Sequence, residues 1–267
     1  MQLQNMTHFN NLTYSSFKQK VTIVMPIRID SEERKENLRT VLSHINRLNC
    51  RVLLLEADSE PQLDKEEWIR ETDYQFVRDT SPIFHRTRYI NMLLREAPTD
   101  IISVWDADIL VAYEQVFETV SLIEQGYTIA YPYNGEYVML SDYDSKMIRK
   151  NFDIEYLRSR RMESVFGRRF CGGVFFVNRD RYFECGGENE NFTGWGPEDA
   201  ERLRRVSILG HDVCWTKTGQ AYHLYHPRGK NSDFHEEEVA IRLRKELTHV
   251  CSMDAEELKK YITSWKK

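Results

Sequence analysis

Three short apolar runs, each broken by charged residues, constrain this chain more than any other feature. Val21–Ile27 (VTIVMPI) gives way to Arg28 and Asp30, Cys50–Leu55 (CRVLLL) to Glu56 and Asp58, and Asp100–Trp105 (DIISVW) to Asp106 and Asp108. Such runs are too short for core helices, and their β-branched content suits strands covered on both faces. Between the first two, Leu38, Val41, Leu42 and Ile45 recur at helical spacing within 31–48. A shorter strand is expected at Phe76–Arg78 and a helix at Arg88–Arg95. Strands alternating with helices predict an α/β fold with a mostly parallel central sheet flanked by helices. Ligands of such sheets bind beyond the carboxyl ends of the strands, where these charged residues fall.

Composition narrows the function classes. The 267 residues include 41% hydrophobic and 12% aromatic residues, enough for one sizeable core. Lys+Arg number 37 against 42 Asp+Glu, a net charge of −5, so no overall positive field draws the chain to nucleic acid. No apolar run is long enough to span a bilayer, and the opening MQLQNMTHFNNLTYSS lacks the apolar core of a secretion signal. The five cysteines form no Cys-x-x-Cys pair, which fits reduced thiols, and the sequons at Asn5 and Asn11 read as chance matches. Without repeats or a low-complexity linker, one domain is expected over 20–231, with a helical tail over 232–267.

The candidate chemistry clusters at the strand ends. Asp106 and Asp108, two apart on extended backbone, point the same way and offer hard oxygen ligands to Mg²⁺ or Mn²⁺. Spacing alone does not select them, because Asp142-Tyr143-Asp144 repeats it in a polar stretch. Phe170–Val177 (FCGGVFFV) carries Gly172 and Gly173, where a ligand or another backbone can approach closely. Gly194-Trp195-Gly196-Pro197-Glu198-Asp199 then opens a helix, with Pro197 at its first position and acids in its first turn. An aromatic face beside carboxylates suits a sugar acceptor, the ring packing on C–H groups while an acid takes a hydroxyl proton. Ala221–His226 (AYHLYH) reads as a strand, on which His223 and His226 would face opposite sides, so at most one should join the aspartates.

Pro26-Ile27-Arg28, Phe84-His85-Arg86 with Asn91, Trp105-Asp106-Ala107-Asp108, and Phe170–Val174 through Gly194–Asp199 together resemble the metal-dependent GT-A glycosyltransferases. The likeness is to the β-1,4-galactosyltransferase C-terminal module and the bacterial family 2 enzymes that share it. It implies a nucleotide-binding half over 20–108 and an acceptor and catalytic half over 109–231. By this resemblance Pro26, Arg28, Asp58, Arg86, Asn91 and Asp106 would bind the donor nucleotide. Asp106, Asp108 and His223 would hold Mn²⁺ or Mg²⁺, with His226 competing for the histidine position. Trp195, Gly173 and Gly194 would contact the acceptor sugar, Glu198 would touch donor or acceptor hydroxyls, and Asp199 would be the general base.

The expected activity is therefore inverting transfer of a hexose or N-acetylhexosamine from a nucleotide sugar, UDP-linked by resemblance, to a glycan or glycolipid hydroxyl in polysaccharide synthesis. Alternatives are a retaining GT-A transferase, a non-catalytic nucleotide-sugar-binding protein, or a metal-dependent phosphohydrolase or nucleotidyltransferase. The expected location is cytoplasmic. In the tail, Asp233 and Ser252 are expected N-caps, and Val239, Leu243 and Leu247 form a packing face. Lys259-Lys260, Trp265 and Lys266-Lys267 offer a second use, docking on the inner face of a membrane.

Overall fold

The computed structural model describes residues 17, 19–151, 153–160, 162–165, 167, 169–229 and 236–265. The expected strands form and carry the parallel half of the main sheet: β1 (Val21–Ile27), β2 (Arg51–Asp58), β3 (Asp73–Arg78) and β4 (Ile101–Trp105). Every residue of β1 and β4 is buried, as strands covered on both faces require. β2 runs three residues beyond its apolar stretch, so Glu56 and Asp58 lie within the strand.

The sheet continues through β8 (Val174–Asn178), β6 (Ile129–Tyr131) and β9 (Val213–Trp215), in the order β3-β2-β1-β4-β8-β6-β9. Among the described residues its pairs are parallel except where β8 joins β4 and β6. That reversal matters for the site. Trp105 pairs with Val174, so the end of β4 meets the start of β8, and the Asp106 amide donates to the Gly173 carbonyl at 2.8 Å.

A second, three-stranded sheet orders β5 (Ile109–Leu110), β10 (Ala221–His223) and β7 (Tyr137–Met139) as β5-β10-β7. β10 is half as long as the sequence suggested. After His223 the chain leaves the sheet: the Leu224 amide donates to the Asp108 carbonyl and the Tyr225 amide to Ser145 Oγ, each at 2.8 Å.

Helix α1 (Glu32–Ile45) is capped by Ser31 Oγ, which accepts from the Arg34 amide, and buries the expected Leu38, Val41, Leu42 and Ile45. α2 (Arg86–Glu96) starts two residues before the expected Arg88, which puts Arg86 in its first turn. α3 (Tyr113–Glu124) follows β5. The stretch 131–169, for which the sequence suggested no element, contains β7, α4 (Asp142–Asn151) and α5 (Ile154–Ser159). α6 (Arg179–Glu184) follows β8, and α7 (Glu198–Ile208) begins one residue later than expected, with Pro197 as its cap.

The tail folds as α8 (Glu237–Ser252) and α9 (Ala255–Ser264). Asp233 lies outside the described residues. Ser252 ends α8 rather than capping α9; Asp254 does that, in a reciprocal pair with Glu257. The buried line of α8 is Ala240, Leu243 and Val250. Leu243 Cδ1 would lie 2.8 Å from a Cβ at Gly196, so the tail packs directly behind the Gly-Trp-Gly turn. No described helix is long and apolar enough to cross a membrane.

Candidate active site

The carboxyl end of the main sheet opens into a cleft bordered by the second sheet. Pro26, Arg28, Arg86, Asp106, Asp108 and Gly173 line it from the sheet side. Gly194, Trp195, Glu198, Asp199, His223 and His226 close it from the other.

Asp108, His223 and His226 offer ligand atoms that all lie within 4.8 Å of one another. His226 Nε2 is 3.2 Å from Asp108 Oδ2, and His223 Nε2 is 3.7 Å from Asp108 Oδ1. Both histidines converge where one was expected, because the backbone is no longer a strand beyond His223 and the alternation of faces stops there. His226 Nδ1 lies 2.9 Å from the Pro227 carbonyl, so a proton held there would leave the Nε2 lone pair free for a cation; without a cation, Nε2 carries the proton that it donates to Asp108. His223 Nδ1 is buried without a partner among the described residues. One hard oxygen and two imidazole nitrogens at this separation fit a divalent cation.

Asp106 stands outside this trio. Arg86 donates to its Oδ1 through Nη2 at 2.6 Å and Nε at 3.1 Å. Burial raises the Asp106 carboxyl above the usual carboxylate range, Arg86 opposing and Asp108 adding to the rise. Burial would raise Asp108 too, but His223, a hydrogen bond from His226, and Arg34 outweigh it and hold Asp108 well below that range. Burial also lowers His223, so the permanent cation at Asp108 is Arg34. Its Nη1 sits 3.4 Å from Asp108 Oδ2 and its Nε donates to Asp30 at 2.8 Å. The signal for Arg34 in the sequence is a cation within an acidic first turn, just beyond a strand end.

Two expected nucleotide contacts lie elsewhere. Asn91 does not line the cleft: its Nδ2 donates to the Glu188 carbonyl at 2.9 Å and to Glu190 at 2.8 Å, and its Oδ1 accepts from the Glu188 amide at 2.8 Å. Asp58 accepts from the Ser59 amide at 2.7 Å and is also absent from the cleft wall. The acid that serves Arg28 is Asp79, just past β3. Arg28 Nη2 donates to it at 2.9 Å, while Nε and Nη1 bond the Ala57 and Ser81 carbonyls, each at 2.8 Å. Arg28 thus ties the ends of β1, β2 and β3 together and lies 5.5 Å over Phe84.

Across the cleft, α7 presents its acids. Arg202 Nη1 donates to Asp199 Oδ1 at 2.7 Å, and Asp199 Oδ2 abuts Gly172, where an added Cβ would come within 2.2 Å. Any larger residue there would have to displace the Asp199 carboxylate. Gly173 and Gly194 instead adopt left-handed φ of 80° and 70°. Burial, then the charge of Asp199, push Glu198 up to about 8, and its Oε2 is buried without a partner among the described residues. Trp195 is 42% exposed despite its size, an aromatic face open to the cleft.

This fold and arrangement have parallels among known proteins. Residues 159–227 match a family model described as the N-terminal domain of galactosyltransferase, a segment that includes Gly172, Gly173, Gly194–Asp199 and both histidines. No curated protein matches the sequence significantly. Solved structures do match. The catalytic domain of Drosophila β1,4-galactosyltransferase 7 in complex with xylobiose superposes with a TM-score of 0.50 and 18% identity, covering 86% of this chain and 79% of that one. A mutant of the same Drosophila enzyme, with manganese, UDP-Gal and xylobiose, gives 0.50 and 17% over 82% of this chain and 78% of that one. GalNAc-T7 with UDP, GalNAc and Mn²⁺ gives 0.61 and 16% over 92% of this chain and half (50%) of that one. At these identities the likeness is one of architecture: the chain has the GT-A fold of glycosyltransferases.

Proposed function

We propose that this protein is a metal-dependent glycosyltransferase that moves a sugar from a UDP-linked donor to a hydroxyl of a glycan, with inversion at the anomeric carbon. The observation that carries this reading is the convergence, in one cleft, of the Asp108–His223–His226 trio and the Glu198–Asp199 pair. The donor class is supported by the UDP-Gal and UDP held by the structural relatives, and the glycan acceptor by the xylobiose of the Drosophila enzyme. Glycolipid acceptors in polysaccharide synthesis are the extension we favour. A cytoplasmic site fits the five free cysteines.

Asp108, His223 and His226 would hold Mn²⁺ or Mg²⁺. When bound, the cation would neutralise the diphosphate as it departs. Arg34, beside Asp108, is placed to add a fixed positive charge to the same leaving group. Trp195 would receive the C–H face of the acceptor ring. Asp199 Oδ2 would take the proton of the acceptor hydroxyl as that oxygen bonds to the anomeric carbon and the bond to the diphosphate breaks. Glu198, kept neutral at pH 7 by its surroundings, would donate a hydrogen bond to a sugar hydroxyl.

The test is a thermal-shift panel of nucleotide sugars with and without Mn²⁺, followed by NMR of the product's anomeric proton. We expect one UDP-sugar to stabilise the protein only with metal, and transfer only with acceptor present. Donor cleavage without any acceptor would point to a hydrolase, and retained anomeric configuration would overturn inversion.

A further inference from the structure

Arg202 and Glu188 form a fully buried ion pair beneath Asp199: Arg202 Nε and Nη2 donate to the two Glu188 carboxylate oxygens at 2.9 and 3.0 Å. The remaining Arg202 nitrogen reaches Asp199 Oδ1 at 2.7 Å, and the guanidinium lies 4.1 Å over the Phe175 ring. Tyr182 donates to Glu188 Oε1 at 2.8 Å, while Asn91 grips the Glu188 backbone on both its amide and carbonyl sides. An unbroken chain, Asn91 to Glu188 to Arg202 to Asp199, therefore runs from α2 to the mouth of the cleft.

A buried ion pair is a poor way to stabilise a core, since apolar residues of the same volume commonly serve as well or better. This one has a geometric consequence instead. With one oxygen on Arg202 and the other against Gly172, Asp199 has a single orientation, facing the cleft. The pairing with Glu188 sets a carboxylate on the far side of Arg202, so the guanidinium is shared between Glu188 and Asp199.

We propose that Glu188 and Arg202 are positioning residues for Asp199, fixing its orientation and setting its strength as a base. This rests on the reading of Asp199 as the base of transfer. The two residues carry opposite charges, so they must move the pH profile in opposite directions. Glu188→Gln leaves Arg202 unneutralised and should shift the acidic limb of kcat to lower pH. Arg202→Met removes the cation and should shift it to higher pH. Each should lower kcat about 10–100-fold, as loss of a supporting partner does elsewhere, with donor KM and Mn²⁺ affinity unchanged.

If either single variant fails to fold, Tyr182→Phe/Glu188→Met/Arg202→Met replaces the whole buried network with apolar groups and keeps the core filled. It should melt near the wild-type temperature yet show the same loss of kcat and the upward shift of the acidic limb. Folded variants with wild-type kcat and an unmoved acidic limb, alongside an inactive Asp199→Asn, would overturn the positioning role and leave Asp199 as base intact. Full transfer by Asp199→Asn would instead remove the underlying reading, and this role with it.

Discussion

His226 faces Asp108 Oδ2 with one ring nitrogen at 3.2 Å and the Pro227 carbonyl with the other at 2.9 Å, so the main chain itself orients the imidazole. If the trio binds metal, His226→Ala should abolish most of the Mn²⁺-dependent rise in Tm. A ligand at 100 times its Kd contributes about 2.7 kcal/mol, and the variant's Kd should climb out of that range. Titration calorimetry with Mn²⁺ checks this apart from activity; unchanged affinity in both His226→Ala and His223→Ala would remove the trio as the site.

Glu198 titrates at about 8 in the folded protein against an ordinary 4.5, chiefly because burial penalises its charge. The folded state therefore binds the proton more tightly than the unfolded chain. That contribution to stability is full below pH 4.5 and is lost as pH rises through about 8. Glu198→Gln should flatten this decline, matching wild type near pH 5 and melting higher at pH 8.5. Parallel melting curves across that window would show that Glu198 carries no raised affinity for protons.

Gly172→Ala puts a methyl group where Asp199 Oδ2 now sits, within 2.2 Å. A displacement of about 1 Å at a reacting group costs on the order of 100-fold in rate. Transfer should fall by that factor while the metal-dependent thermal shift with donor stays intact, which separates the base from the donor site.

Leu243 is fully buried against Gly196. Leu243→Ala should cost about 2–5 kcal/mol in urea denaturation, as core truncations do. A change below about 0.5 kcal/mol would mean that α8 does not support the Gly-Trp-Gly turn in solution.

Much of this architecture was legible because its signals were local. β1 and β4 announced themselves as uninterrupted apolar runs, and α1 as four apolar residues at helical spacing behind Ser31. Of the second sheet only β10 was legible, within the Ala221–His226 run; β5 and β7, of two and three residues, hold no measurable period. Among the residues that line the cleft, Asp106, Asp108, Trp195, Glu198 and Asp199 stood out at strand ends and a helix start. The convergence of His223 and His226 could not, since it depends on where β10 stops. Asn91 misled for a related reason, as its partners Glu188 and Glu190 lie about a hundred residues along the chain. Arg202 and Arg205 are completely buried, although charged helix residues ordinarily face solvent, because Glu188 and Glu201 are buried with them as partners.

The order β5-β10-β7 has a temporal consequence. β5 and β7 touch each other only through β10, so neither is held in the small sheet until residues 221–223 have left the ribosome. Asp108 is translated more than a hundred residues before either imidazole that faces it. A growing chain can thus assemble the parallel half of the main sheet early, yet the Asp108–His223–His226 trio becomes complete only after α7 and its carboxylates have already been made. Metal capture by this trio, as proposed, would then report on synthesis as well as folding: a polypeptide stalled before His223 carries the aspartate pair and the Glu198–Asp199 helix but lacks both imidazoles.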